Sequence, residues 1–427
     1  MNIGIIGAGY VGLTTAAVLA ELGHVVYCVD RDKEKVERLN TGIIPIYEPG
    51  LDELVDRHRA GNRLFFRHDV AETVRRNEVI MIAVGTPSAE DGSADLVYVR
   101  SVLNDIAGAL NDSKVIIMKS TVPPGTGEWA ESYLIEKGVP RAHFEVVSNP
   151  EFLREGTAIY DTFHPDRIVI GTHSAAAAGI VQSLYAGIEA KTILTGRTEA
   201  ELIKYGSNAF LATKLSFINE LARVCDTFGA DIMDVARGIG KDSRIGEKFL
   251  QAGIGYGGSC LPKDVQALMA AAASHNEPLK LLQAVAEVND TQLDAYVRKL
   301  EKVLGGLDET KHIAVWGATF KENTDDLRYS RAVALMEGLA KKACVLTAYD
   351  PLAAPPITGV EWKKSALDAV EGADAVIIAT GWEEFIRADW EQVGKRMRGA
   401  VVLDGRNVLN RIAVKEAGLR YVGVGRL

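Results

Sequence analysis

GIIGAGYVG, Gly4 to Gly12, decides how the first part of this 427-residue chain must fold. Gly7, Gly9 and Gly12 stand in G-x-G-x-x-G spacing, directly after the apolar run NIGII and directly before TTAAVLAELG, whose pattern is helical. In that strand, turn and helix setting the first glycine permits a tight turn. The second lets the backbone approach a pyrophosphate, and the third lets helix and strand pack closely, with the helix N-terminus facing the phosphates. Asp30 ends the next apolar run, HVVYCVD, where a carboxylate can accept both hydroxyls of a ribose. Glycines alone could serve only a tight turn; strand, helix and acidic residue in register predict a dinucleotide site. Asp30 repels a 2′-phosphate, which favours NAD over NADP, an inference that the adjacent Arg31 works against.

Outward from this stretch, EVIMIAVG, KVIIMKS and FEVVS continue a βαβ rhythm that implies a parallel sheet. From Glu199 to Arg298 the strands stop, and LIKYGSNAFLATKLSFINELARVCDTFG reads as one long, mostly apolar helix. The strand rhythm restarts at His312 with KHIAVWG, ACVLTAYDP, ADAVIIATG, AVVLDGRN and LRYVGVG. The pattern predicts an α/β chain: two Rossmann-like doubly wound domains bridged by a central helical region with a long helix. Their bounds are expected at residues 1–198, 199–300 and 301–427, with a ligand cleft between the two α/β parts. The long helix is too apolar to be solvated and is expected to pack against a second copy, giving a homodimer or higher homo-oligomer.

Composition narrows the function. The 57 acidic residues outnumber the 48 basic ones, and no basic block interleaved with aromatics appears, which argues against a nucleic-acid surface. No apolar run approaches the roughly 18 residues of a membrane span, and MNIGIIG enters a strand with no export signal, so no membrane partner is expected. Cys28, Cys225, Cys260 and Cys344 lack C-x-x-C or Cys/His spacing; neither a disulfide framework nor a metal site is expected, and a reducing cytoplasm fits.

Cys260 stands apart from the other three. It lies in GYGGSCLPKD, Gly255 to Asp264, behind a run of glycines and ahead of Lys263 and Asp264. Glycines allow a substrate close to the backbone, and a nearby lysine supplies the field that favours a thiolate. A nucleophilic cysteine beside a nicotinamide cofactor has a specific use. It adds to an aldehyde as a thiohemiacetal, which loses hydride to become a thioester, so an aldehyde becomes an acid.

GAGYVGL, YEPGLDEL, VGTPS, ADLVYV, KSTVPPGT, NPEFLREGTAI, PDRIVIG, KYGSNAFLATKLSFINE, SRIGEKFLQAGIGYGGSCLPKD, GATFKENTDDLRYS and DGRN resemble, nearly end to end and in order, the signatures of the nucleotide-sugar dehydrogenases. That family oxidises a sugar primary alcohol to a carboxylate in two NAD-dependent steps. RIGEKFLQAG and DGRN look more like the branch acting on UDP-glucose, with the GDP-mannose branch as runner-up, so the resemblance implies a UDP-sugar substrate. It makes Cys260 the nucleophile and gives Lys204 and Asn208, one helical turn apart, to oxyanion stabilisation. Asp264 orients water with Thr121, and Glu151 serves acid/base steps in thioester hydrolysis.

The resemblance further implies cofactor contacts at Gly7, Gly9, Tyr10, Val11, Gly12, Asp30, Thr86, Thr121, Glu155, Lys263 and Arg328, although a structural cap or pair suits Glu155 better and the resemblance also places it near the substrate. It implies substrate contacts at Glu151, Phe152, Leu153, Lys204 and Asn208. Phe249, Gly257, Phe320, Lys321 and Arg406 complete that set, with Arg244 reaching the substrate of a neighbouring subunit. Two rivals stand beside this reading. YLIEK, Tyr133 to Lys137, supplies the Y-x-x-x-K of short-chain sugar epimerases and reductases, but such enzymes are shorter and lack the Cys260 loop. A non-catalytic NAD-binding regulatory protein would explain the glycines but not Cys260, Lys204, Asn208, Asp264 and Glu151 together.

Overall fold

The computed structural model describes residues 1–342 and 344–426. Ala343, first residue of the expected strand ACVLTAYDP, and Leu427, last of the expected C-terminal domain, lie outside the described residues. By their packing the described residues gather into two units. The first takes Met1–Ser207 with Gln266–Glu277, and the second takes Asn208–Val265 with the chain from Pro278 onward.

In the first unit β1 (Asn2–Ile6), β2 (Val25–Val29), β3 (Leu64–Arg67), β4 (Val79–Ile82), β5 (Lys114–Met118), β6 (Phe144–Ser148), β7 (Arg167–Gly171) and β8 (Lys191–Thr195) form one sheet. Its order is β3-β2-β1-β4-β5-β6-β7-β8. Strands such as β4, VIMI, and β5, KVIIM, are buried along their whole length because helices cover both faces of a parallel sheet. Alternate residues feed two cores, Ile3 and Ile5 on one face, Ile6 and Ile80 on the other. The parallel run ends at β6, which meets β7 in antiparallel sense at Ser148 and Gly171, a change of direction that the βαβ rhythm does not encode. The order reverses between β1 and β4, and the crevice outside the carboxyl ends of such strands is where a doubly wound sheet takes its ligand.

The second unit repeats the topology. β9 (His312–Trp316), β10 (Val345–Tyr349), β11 (Val360–Trp362), β12 (Ala375–Ile378), β13 (Val401–Asp404) and β14 (Arg420–Gly423) run in the order β11-β10-β9-β12-β13-β14, and every pairing among them is parallel. The helix Arg197–Phe228 spans 32 residues, belongs to both units and matches the expected long helix. The helices Ile232–Gly240, Leu261–Ala273 and Lys280–Leu304 follow it before the strands resume. Two α/β sheets with a helical region between them in the chain are thus borne out.

Candidate functional site

Each glycine of the fingerprint has its own physical cause. Gly7 has φ +110°, and a Cβ there would stand 2.5 Å from the Ala83 carbonyl oxygen. A Cβ on Gly12 would stand 1.8 Å from the Gly7 oxygen, so strand and helix pack closely only because it is absent. Gly9 differs: nothing lies within 4 Å of its ideal Cβ. It also precedes the helix Tyr10–Glu21 without a side-chain cap, so backbone N–H groups remain for an anion in a cradle that a side chain would narrow. Val11 packs on the core beneath.

At the end of β2, Asp30 Oδ2 accepts from Ala8 N at 3.0 Å and pairs with Lys35 Nζ at 2.9 Å. Burial pushes its carboxyl up, but the Asp32 N–H, Lys35 and the Ala8 N–H outweigh burial and hold it below the usual carboxylate range. The second unit copies this corner without the opening. Ala318 N donates to Asp350 Oδ2 at 2.7 Å as Ala8 does to Asp30, and Gly317 has φ +102°. Asp350, however, also accepts from Thr319 N, Trp382 Nε1, Leu352 N and Ala353 N. Asp350 thus accepts from more protein donors than Asp30, whose partners are Ala8 N, Asp32 N and Lys35.

Around the first crevice, Thr86 is buried and donates to the Thr121 carbonyl at 2.8 Å. Glu155 is buried in the loop after β6. Glu48, to which the sequence reading gave no role, holds this loop: its carboxylate accepts from Gly156 N and Ala158 N, both at 2.6 Å, and from the Tyr10 hydroxyl. Its only signal in the sequence is its place in YEPG. Lys35 was missed likewise: it stands five positions beyond the carboxylate it meets, in the first turn of the next helix.

Two polar constellations carry the remaining expected catalytic residues. In the first unit Lys204 Nζ pairs with Glu151 Oε1 at 3.0 Å, both nearly fully buried. Glu151 Oε2 accepts from Leu153 N at 2.9 Å, and Lys204 Nζ sits 5.5 Å from the Phe152 ring centre, whose nearer cation is Arg167 at 3.9 Å. A buried ion pair costs desolvation that only good geometry offsets, so such a pair points to chemistry more than to stability. In the second unit Asp264, 1% exposed, accepts from Asn208 Nδ2 at 2.6 Å and pairs with Lys263 Nζ at 2.5 Å. The long helix carries both Lys204 and Asn208, four residues apart.

Cys260 is exposed, whereas Cys28, Cys225 and Cys344 are buried. Burial pushes the Cys28 thiol up to about 12 and raises those of Cys225 and Cys344. The Cys260 carbonyl accepts from Asp264 N at 2.9 Å, which places the residue at the N-cap of the helix Leu261–Ala273, the position where thiolates are favoured. The glycines before it serve packing as well as freedom. A Cβ on Gly257 would meet the Tyr329 carbonyl oxygen at 2.1 Å, and one on Gly258, φ +81°, the Phe320 ring at 2.5 Å. Gly255 and its neighbours are held by Asn289 and Arg331, neither of them evident from the sequence.

Arg406 donates to the carbonyls of Ala379, Phe320 and Gly255, and burial pushes its guanidinium down to about 10. Lys321 Nζ lies 6.0 Å from the Phe320 ring centre, and Phe249 sits in the left-handed region at φ +63°. Arg328 pairs with Asp326 at 2.8 Å, while its carbonyl accepts from Gly258 N. Arg244 is paired with Asp242 at 2.6 Å on the surface.

Residues 1–189 match the NAD binding domain of the UDP-glucose/GDP-mannose dehydrogenase family, residues 198–291 its central domain and residues 314–411 its UDP binding domain. The chain is 44% identical over 436 residues to the UDP-glucose 6-dehydrogenase of Rhizobium meliloti (strain 1021), covering 100% of both. It is 44% identical over 430 residues to UDP-glucose 6-dehydrogenase TuaD of Bacillus subtilis (strain 168), covering 100% of this chain and 93% of the relative. Among solved structures, a UDP-glucose dehydrogenase from the hyperthermophilic archaeon Pyrobaculum islandicum superposes with a TM-score of 0.92 at 38% identity, covering 100% of this chain and 98% of that one.

Proposed function

The chain belongs to the UDP-glucose/GDP-mannose dehydrogenase family and is a NAD-dependent nucleotide-sugar dehydrogenase, and on that premise we propose that it oxidises C6 of UDP-glucose to the carboxylate of UDP-glucuronate. The observation that carries the reading is the exposed Cys260 at a helix N-cap, in a chain that also holds an open Gly9 and Asp30 corner. The residues of that corner fit NAD. Gly7, Gly9 and the first N–H groups of the Tyr10 helix would hold its pyrophosphate and Asp30 its ribose. Tyr10, Val11, Thr86, Thr121, Glu155, Lys263 and Arg328 would complete the contacts. Bound NAD supplies the hydride acceptor for both oxidations.

The chain's own groups manage protons, oxyanions and the acyl group. Glu151, ion-paired with Lys204, takes the proton of the C6 alcohol directly or through water. Lys204 and Asn208 stabilise the negative charge that develops on the C6 oxygen. The Cys260 thiolate attacks the aldehyde carbon, and loss of hydride from the thiohemiacetal leaves a thioester. Asp264 and Thr121 orient the water that cleaves it, releasing the acid and restoring the thiol. Arg406 and Lys321 would neutralise the diphosphate, with Phe152, Leu153, Phe249, Gly257 and Phe320 shaping the sugar-nucleotide site.

UDP-glucose rests on the relatives named for it; GDP-mannose is the alternative. Purified enzyme should give two NADH for each UDP-glucose consumed with no free aldehyde released, read by absorbance and by mass spectrometry of the acid. A higher kcat/KM for GDP-mannose in parallel assays would overturn the substrate. The functional unit is proposed to be a homodimer, because Phe210, Phe217 and Phe228 stand exposed along the long helix, at 64%, 51% and 81%. Arg244 would then serve the partner's site. No helix among the described residues is long and apolar enough to cross a membrane, and a thiol nucleophile suits a reducing cytoplasm.

A further inference from the structure

Glu201 is a carboxylic acid only 3% exposed and absent from the mechanism above. It lies on the long helix one turn before Lys204. Its Oε2 accepts from Gly125 N at 2.7 Å, and its Oε1 accepts from Gly127 N at 2.8 Å and from the Ser148 hydroxyl at 2.8 Å. Gly125 and Gly127 belong to the STVPPGTG segment that begins with Ser120 and Thr121. Ser148 closes β6, three residues before Glu151.

The helix Thr126–Glu136 starts behind Gly125, φ +88°, which has no side chain with which to cap it. A helix start leaves N–H groups without partners, and here a carboxylate from another helix accepts from Gly125 N and Gly127 N. Gly127 gives the acid its room: a Cβ there would stand 3.0 Å from Glu201 Oε1 and 2.9 Å from Ser148 Oγ. One carboxylate therefore ties three separate pieces of chain that carry Thr121, Glu151 and Lys204. Such a tie is needed because Lys204 and Glu151 must hold one geometry through successive oxidations, and their own ion pair fixes only one distance.

We propose that Glu201 is a positioning residue for the dehydrogenase reaction: it sets the Thr121 segment and the β6 end against the turn of helix that carries Lys204. It touches neither substrate nor cofactor in this role. The proposal rests on the reading of Lys204, Glu151 and Thr121 given above. Burial pushes the Glu201 carboxyl up to about 7, so its two-oxygen acceptor form prevails in assays run above that pH. On its own helix Arg197, one turn before it, pairs with Glu128 and Glu131 of the capped helix, and Lys204, one turn after it, pairs with Glu151.

The test uses the full-length enzyme in mildly alkaline buffer. Glu201→Gln keeps the shape but turns an amide NH2 toward one of the three donors. A misplacement of about 1 Å at a catalytic group costs on the order of 100-fold, so kcat should fall between about 10-fold and 100-fold, with KM for NAD and sugar nucleotide within about twofold. Ser148→Ala, which removes a single donor and leaves the carboxylate capped, covers the case in which Glu201→Gln does not fold. It should lower kcat severalfold with an unchanged melting temperature. Wild-type kcat in a folded Glu201→Gln or in Ser148→Ala, or a loss confined to KM, overturns the proposal. A wild-type enzyme that oxidises no nucleotide sugar instead overturns the functional reading on which the proposal stands.

Discussion

At the scale of single residues, four cysteines meet four environments and only one suits a nucleophile. Cys28 is wholly buried with its thiol pushed up to about 12, and Cys225 and Cys344 are raised in the same sense by burial. Iodoacetamide at neutral pH should therefore label Cys260 alone in the native protein, read by peptide mass spectrometry, and labelling should track loss of activity. Labelling of Cys28 without unfolding would contradict the packing. Cys260→Ala should abolish acid formation while leaving NAD binding near normal, whereas acid made at the wild-type rate would make the thiol a bystander. Lys204→Met should cost roughly 100- to 1,000-fold in kcat if its ammonium stabilises the oxyanion; a smaller KM-only effect would assign it to binding. Asp30 gives a pH test with a definite sign. Its folded carboxyl lies below the ordinary range, so its contribution is fully present above the unfolded value of about 4 and is lost as pH falls through the lower folded value. The melting-temperature gap between wild type and Asp30→Asn should be constant near neutrality and shrink in acid.

At the scale of elements, the turn between β1 and its helix separates glycines that serve the fold from the glycine left for a ligand. Gly12→Ala puts a methyl against the Gly7 carbonyl and should destabilise the protein by at least about 2 kcal/mol. Gly9→Ala meets nothing within 4 Å, so stability should stay within about 0.5 kcal/mol while KM for NAD rises roughly tenfold or more, about 1.4 kcal/mol of binding. Thermal melts and NAD titrations of the two variants decide it, and equal melting losses would sink the distinction. The second unit shows why the element alone does not make a cofactor site. Gly317 and Asp350 repeat the corner of Gly7 and Asp30, yet Trp382, Thr319, Leu352 and Ala353 also donate to Asp350.

At the scale of the whole molecule, the long helix has residues in both units, and Phe210, Phe217 and Phe228 stand exposed along it. Light scattering should report a dimer or larger species at assay concentration. Phe210→Ser with Phe217→Ser should shift it toward monomer with loss of activity, and an active wild-type monomer would remove the dimer proposal and the role of Arg244 in trans.

The sequence by itself determined the two α/β sheets and the long helix, because buried parallel strands read as short apolar runs and helices as 3.6-residue periods, both local properties. It also singled out Gly9, Asp30 and Cys260, each by a local motif: the glycine turn, the acidic end of the next strand and the GYGGSCLPKD loop. The tertiary structure decided what pairs across distance. β7 runs antiparallel to β6 although the preceding strands predict otherwise, since strand direction depends on where the chain returns and not on composition. Glu48 reaches Gly156 across 108 positions, and Glu201 reaches Gly125 across 76. No spacing rule encodes such contacts, because a buried carboxylate finds its donors through the fold that brings them together. Asp350 looks like Asp30 in sequence, and only the neighbours that donate to it tell them apart.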